Sequence, residues 1–282
     1  MIEALADAVA HDPRYAQTTN LVVLRDGELA FERHYGDDSA DHLADVYSVT
    51  KSVVSTLVGI ALGRGELASL DLTVHGGRTY RHLLTMTGGT ENDGPWEIDE
   101  VIALPSGWRE HVEAAPQLEP PGTSFRYDNA AVHLLGCALA DAVGRSLADY
   151  AHEHLFGPLG IDAFEWPSDP EGYSWGFGHL RLRPRDLARI GELWRRGGEG
   201  IVPAAYVADA TCAHTPGGSP EDEGYGYLWW VGERSFFAGG YAGQALVVVP
   251  EERLVVAATG VEERLRPGWR NPRHALAEAL AG

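Results

Sequence analysis

Residues 47–67 read YSVTKSVVSTLVGIALGRGEL, and this stretch decides how the rest of the chain is read. Val49, Val53, Leu57, Ile60 and Ala61 recur at core spacing, and Val54 and Val58 widen the apolar face. The pattern predicts a helix from Ser48 to about Gly63 that is buried on most sides. Ser48 and Lys51 stand at i and i+3, where side chains share a helix face, so hydroxyl and amine can meet. The helix N-terminus carries partial positive charge and burial penalises an ammonium, so both lower a lysine pKa toward the range of a working base. A plainer account stays open at this level, with Ser48 as an N-cap and Lys51 as a solvated first-turn residue.

Composition singles out the same lysine. The chain has 22 basic residues, and all but Lys51 are arginine. Arginine cannot release its proton in a protein, whereas lysine can be tuned to do so. A lone lysine in an arginine-rich chain is therefore a candidate for a position that arginine cannot serve.

Outward from this stretch, the opening MIEALADAVA reads as a short amphipathic helix. LVVL (21–24) and ELAFERHY (28–35) flank Arg25-Asp26-Gly27, a strong hairpin signal. Asn129–Val143 reads as a helix closed by Gly144, and Ser146 with Asp149 as a capping box for a helix through Leu155. Pro184 opens a helix ending near Arg196. After about residue 223 the pattern turns to strands, YGYLWWV, RSFFAG, QALVVVP and RLVVAATG, and Asn271-Pro272 starts a final helix through Leu280. The predicted class is α+β: an antiparallel sheet built from both termini, flanked by helices, with a large mostly helical insertion. One catalytic unit (1–282) of two lobes is expected. Residues 1–45 with 223–282 form the sheet lobe, 46–222 the mainly helical lobe, and the active site lies between them.

The bulk numbers bound the function. At 282 residues the chain is long enough for a real core. Forty-one acidic residues against 22 basic ones leave a net charge of −19, which disfavours nucleic acid and anionic membranes as partners. The N-terminus lacks a basic region followed by an apolar one, and no apolar run approaches the ~20 residues of a membrane helix. The chain reads as soluble and cytoplasmic, unless a leader has been removed, with a small-molecule substrate and an oligomeric state the sequence leaves open. Two cysteines, Cys137 and Cys212, support neither a disulfide framework nor a thiolate metal site. His152-Glu153-His154 puts its imidazoles on different helix faces, so no metal and no cofactor are expected.

Two further motifs accompany the Ser-x-x-Lys pair. Tyr127-Asp128-Asn129 offers a phenol that can relay a proton beside a cation and an amide that can orient a carbonyl; a packed loop tyrosine and an asparagine N-cap explain it as well. Ala238-Gly239-Gly240-Tyr241 lies in a predicted strand pair, where glycines mark either close approach of a backbone or ligand, or a simple bulge.

Together these motifs resemble the serine β-lactamase and penicillin-binding-protein superfamily, especially its class C-like branch with family VIII carboxylesterases, D-amino-acid peptidases and 6-aminohexanoate-dimer hydrolases. The likeness runs through YSVTKSVVSTLVGIALGRGEL, YRHLLTMTGG, EPPGTSFRYDNAAVHLLG, LFGPLGI, RPRDLARIGELW and FFAGGYAGQALVVVPEERLVV in family order. It implies Ser48 as nucleophile, Lys51 and Tyr127 as base and proton shuttle, and Asn129 as a substrate ligand. It also implies an oxyanion hole from the N–H groups of Ser48 and Tyr241, and no cofactor.

The sequence departs from the pattern at one place. Penicillin-recognising members usually carry Lys-Thr-Gly or His-Thr-Gly where this chain has Ala238-Gly239-Gly240, so the cation that grips a β-lactam carboxylate is missing. The resemblance therefore implies a serine hydrolase acting on small esters or amides, esters first. The alternatives are a β-lactamase, a D-amino-acid or 6-aminohexanoate amide hydrolase, and a penicillin-binding or sensing module without turnover. Gly172-Tyr173-Ser174-Trp175-Gly176 is a literal G-x-S-x-G, but no buried strand precedes it and no helix follows, as a nucleophile elbow requires. Tyr173, Trp175 and Phe177 either line an acyl pocket or anchor their loop.

Lys51→Arg keeps the charge and removes the releasable proton. The folded variant is expected to lose more than about tenfold in kcat, equivalent to ~1.4 kcal/mol, in a steady-state ester assay. Retention above that level excludes Lys51 as the base.

Overall fold

Asp26 and Gly27 both take positive φ, 56° and 85°, the combination that a tight two-residue hairpin requires. They join β1 (Thr18–Arg25) to β2 (Glu28–His34), so the hairpin forms where the Asp-Gly pair predicts it. The computed structural model describes residues 1–36 and 38–281.

Six further strands complete the sheet: β3 (Thr215–Gly218), β4 (Glu223–Tyr225), β5 (Trp230–Val231), β6 (Phe236–Gly240), β7 (Gln244–Val249) and β8 (Leu254–Gly260). Their order is β2-β1-β8-β7-β6-β5-β4-β3, and every neighbouring pair is antiparallel. The N-terminal hairpin thus docks on the C-terminal strand, Val22 opposite Ala257 and Val23 opposite Val256. Two details differ from the sequence expectation. The sheet reaches back to Thr215 rather than starting near 223. YGYLWWV is not one strand but the turn of a hairpin, because Gly226 packs where an added Cβ would lie 2.1 Å from the Ala210 carbonyl oxygen, and Leu228 has φ 57°.

The main helices are α1 (Ile2–His11), α2 (Thr50–Arg64), α3 (Asn129–Val143), α4 (Pro184–Arg195) and α5 (Pro272–Ala281). Leu246 of β7 meets α4 at Gly191, while its neighbour Val247 faces a cavity walled by α5. Successive strand residues point to opposite faces, so α4 covers one face of the sheet and α5, with α1 packed on it, covers the other. The segment Leu147–Phe156 starts at the Ser146 cap, whose Oγ accepts from the Asp149 N–H, and ends in a π-helical turn. No single helix among the described residues is long and apolar enough to cross a membrane.

α2 is buried from Thr50 to Ala61. It ends at Arg64 with Gly65 in the left-handed region (φ 72°), one residue beyond the predicted stop. Burial on all sides requires partners for its hydroxyls, and the tertiary structure supplies them. Ser52 Oγ donates to the Leu228 carbonyl, Ser55 Oγ pairs with Tyr206 Oη, and Thr56 Oγ1 accepts from Trp194 Nε1.

Close packing of α4 on the sheet depends on Gly191, where a Cβ would lie 2.6 Å from Val255 Cγ1 and 2.7 Å from Leu246 Cδ1. Gly191→Val is expected to destabilise the fold by roughly 1–3 kcal/mol through overpacking, a loss of several degrees in Tm by calorimetry. An unchanged Tm would show that α4 can lift off the sheet at no cost.

Candidate active site

Ser48 lies in a 3₁₀ turn, Tyr47–Val49, that opens directly into α2. It does not cap the helix. Lys51 Nζ stands 2.8 Å from Ser48 Oγ and donates to the Phe177 carbonyl at 2.5 Å. Lys51 is buried, so the solvated first-turn alternative does not hold. Desolvation lowers its pKa from 10.5 to about 7, and the negative charge of Asp128 opposes part of the fall. Asp128 caps α3 by accepting from the Ala131 N–H at 2.9 Å; burial pushes its own pKa up to about 6.

The turn that presents Ser48 is held from below. Tyr47 has φ 44°, a left-handed conformation costing a bulky residue about 1–2 kcal/mol. Its N–H donates to Asp45 Oδ1 and its carbonyl accepts from Thr50 Oγ1, which in turn accepts from the Leu180 N–H. Asp45 Oδ2 lies 2.7 Å from His179 Nδ1, and the Tyr47 ring packs 5.3 Å from His179 and 5.6 Å from Tyr241. Segments 45–50 and 177–180 are therefore one stitched unit, and the Phe177 carbonyl arrives at Lys51 as part of it.

Tyr127 stacks on Trp230, centroids 6.0 Å apart, and Lys51 Nζ lies 5.1 Å from its ring centroid. Burial pushes its phenol well above the ordinary range, with the adjacent Ser48 hydroxyl opposing, so Tyr127 stays protonated while Lys51 titrates near neutrality. Asn92 Nδ2 donates to the Tyr127 carbonyl at 2.8 Å and fixes the segment. Asn129, the first residue of α3, lines a cleft of about 470 Å³ together with Ser48, Phe177 and Tyr241.

The Ala238-Gly239-Gly240 run keeps regular register with β7, so it is no bulge. A Cβ on Gly240 would lie 2.7 Å from the Val46 carbonyl oxygen, so the bare glycine lets β6 close against the residues just before Ser48. A Cβ on Gly239 would lie 2.7 Å from Glu221 Oε1. Ala238 is buried and does not line the cleft. Arg273 is the arginine that approaches this strand, and Glu221 Oε2 already holds its guanidinium, which lies over the Phe237 ring at 4.5 Å.

Ser174 is buried in its loop, where Oγ accepts from the Ala148 N–H. Of the three aromatics in that loop, Phe177 lines the cleft, whereas Tyr173 Oη donates to Asp141 and anchors the loop. A group that the sequence did not flag is His133, Cys137 and Asp169, all buried with ligand atoms within 4.8 Å of one another. Its chemistry fits an anchor better than a metal centre. Asp169 already accepts from the Tyr173 and Glu171 N–H groups and lies 3.1 Å from His133 Nε2, while burial pushes the Cys137 thiol up and keeps it protonated.

The sequence profile of the beta-lactamase family matches residues 6–277. The chain belongs to that family. No curated protein sequence matches it. Among solved structures it is similar to a penicillin-binding protein from Bacillus halodurans (17% identity, TM-score 0.77, 98% of each chain). It is also similar to a beta-lactamase from Mycobacterium bovis (21% identity, TM-score 0.74, 99% of this chain and 98% of that one). A third is EstCE1, a hydrolase with promiscuous acyltransferase activity (18% identity, TM-score 0.77, 99% of each). At these identities the likenesses establish a shared fold. The Phe177 carbonyl, Asp45, His179 and Asn92 were not singled out as site groups in the sequence; the first acts through a backbone atom, which no residue type signals.

Lys51 also links stability to pH. Its folded pKa is depressed from 10.5 to about 7, so between these values the unfolded chain binds a proton that the folded one lacks, and stability rises with pH. Below that window burial of the lysine costs about 5 kcal/mol, partly offset in any substitution by an orphaned Phe177 carbonyl. Lys51→Met is therefore expected to melt above the wild type at pH ~6, with the gap closing toward pH ~10. Equal Tm differences at both pH values would show that Lys51 is not buried as a depressed base.

Proposed function

We propose that the protein is a serine hydrolase that cleaves small esters, and more slowly amides, through an acyl-enzyme on Ser48. The observation that carries this reading is the 2.8 Å contact between the Ser48 hydroxyl and the amine of a fully buried lysine, whose pKa desolvation lowers to about 7. With one N–H of the neutral amine donated to the Phe177 carbonyl, its lone pair is free to accept the Ser48 proton as Oγ attacks the substrate carbonyl carbon. The resulting oxyanion sits at the N–H groups of Ser48 and Tyr241, donors worth a few kcal/mol each in such sites. The protonated Tyr127 phenol, beside Lys51, passes a proton to the leaving oxygen or nitrogen and is reprotonated from the lysine. Water then attacks the acyl-enzyme, giving up a proton along the same route, and restores Ser48. Asn129 holds the substrate from the cleft wall.

Esters are favoured over β-lactams because Ala238 offers no cation to a carboxylate and Arg273 is already engaged by Glu221. A charged hydrogen bond of that kind is worth about 1.5–3 kcal/mol, so its absence weakens β-lactam handling by roughly tenfold or more. A fluorophosphonate is expected to label Ser48 by peptide mapping, and kcat/KM for p-nitrophenyl acetate or butyrate to exceed that for nitrocefin. Label on Ser174 removes the nucleophile assignment. A nitrocefin value equal to the ester values overturns the ester preference, and a burst of one equivalent without turnover identifies a sensing module instead.

A further inference from the structure

Tyr241, whose N–H forms half of the proposed oxyanion hole, opens a tight turn, Tyr241–Gly243, between β6 and β7. Ala242 and Gly243 both take positive φ, 54° and 87°, so the chain leaves the β7–β8 ladder abruptly, and the last paired residues there are Ala245 and Ala258. Beyond that point the buried Gln244 side chain replaces the missing backbone. Its Nε2 donates to the Gly260 carbonyl at 2.7 Å, and its Oε1 accepts from the Gly260 N–H at 3.2 Å. A carboxamide carries the donor and the acceptor of a peptide unit, so Gly260 stays satisfied while the turn departs for the cleft. The same residue fastens both ends of the peptide that bears the oxyanion donor. The Tyr241 N–H belongs to the rigid plane running from Gly240 Cα to Tyr241 Cα. At the first end, an added Cβ on Gly240 would lie 2.9 Å from Gln244 Cβ and 2.7 Å from the Val46 carbonyl oxygen, so both crowd that Cα. Just past the second end, the Gln244 N–H donates to the Tyr241 carbonyl. Gln244 is itself held, because its carbonyl accepts from Asn271 Nδ2 at 2.9 Å.

We propose that Gln244 is a positioning residue that holds the Tyr241 N–H at the place where the oxyanion forms, with Asn271 holding Gln244 in turn. The inference rests on the hydrolase reading above and adds the side chain on which one half of its oxyanion hole depends. A donor of this kind lowers the barrier only if it already points at the developing charge, and small displacements forfeit much of its effect. The Gln244 amide is buried against β8 and acts through the backbone it fastens. A plain core role predicts lost stability alone, whereas the positioning role predicts lost stabilisation of the oxyanion.

Gln244→Met keeps the length of the side chain and removes both amide hydrogen bonds. Its kcat for p-nitrophenyl butyrate is expected to fall about tenfold or more, with KM within about threefold of the wild type. The specific readout is the preference in kcat/KM for this ester over its thionoester, each value divided by the rate of hydroxide hydrolysis. Sulfur in place of the carbonyl oxygen is a larger and weaker acceptor, so the comparison reports on the oxyanion donors. The wild type is expected to prefer the oxygen ester by about tenfold or more, and Gln244→Met to cut that preference at least about threefold. Asn271→Ala removes the hold on the Gln244 carbonyl from outside the turn; it is expected to act in the same direction, and it decides the matter if Gln244→Met does not fold. Gly191→Val, destabilised at the contact of α4 with the sheet, is expected to keep the wild-type preference. A wild-type preference in the folded position-244 or position-271 variant, or an equal fall in Gly191→Val, overturns this inference and leaves the hydrolase reading standing. Ser48-dependent turnover with no preference in the wild type removes the oxyanion hole at Tyr241 and this inference with it. No Ser48-dependent turnover of either ester removes the hydrolase reading as well.

Discussion

A lysine without water is the constraint on which the rest of this structure depends. Lys51 sits inside α2 with its amine on two oxygens, the Ser48 hydroxyl and the Phe177 carbonyl. An ammonium so placed is costly, and the fold meets the cost by letting the group approach neutrality instead of surrounding it with acids. Asp128 is the carboxylate that acts on it, and burial raises that group's pKa as well. Burial thus moves both groups toward their neutral forms, the lysine downward and the carboxyl upward.

Holding that arrangement requires backbone from distant parts of the chain. The strained Tyr47 turn is fastened to residues 177–180 through Asp45, Thr50 and His179. β6 closes from the other side because Gly240 leaves room for the Val46 carbonyl. The loop that carries the decoy G-x-S-x-G motif is not idle: Gly176 packs so closely on α3 that a Cβ would lie 2.5 Å from the Val132 carbonyl oxygen, and its next residue delivers the carbonyl that Lys51 needs. His133 and Asp169 pin the same loop from within. A motif that fails as a nucleophile elbow therefore contributes to the site as scaffold.

Family membership and fold leave substrate choice to the walls of the cleft, as is general for folds shared among many activities. Those walls carry little positive charge. Arg273 comes nearest to the strand that bears Ala238, and Glu221 neutralises it.

The sequence alone determined the elements whose causes are local. The Asp-Gly hairpin, the buried α2, the α3 helix ending at Gly144, and the α4 and α5 starts at prolines follow from turn chemistry, capping and periodicity, and each appears within a residue or two of its expected place. The Ser48–Lys51 pairing was legible for the same reason, since i and i+3 on a helix need no tertiary information to meet. What only the tertiary structure decided are the groups that act at a distance in the chain. The sequence left open whether Ser48 merely caps a helix and Lys51 is solvated; the 3₁₀ turn that holds Ser48 excluded the first, and burial of Lys51 against Phe177, 126 residues away, the second. YGYLWWV read as one strand because its residues are β-prone, but a glycine pressed against a distant carbonyl turned it into two. The acidic lining of the cleft joins residues 97, 99 and 262, which no spacing rule relates. Local propensity writes elements into the sequence, whereas desolvation and charge depend on which elements pack together, and that is settled only when the chain is folded.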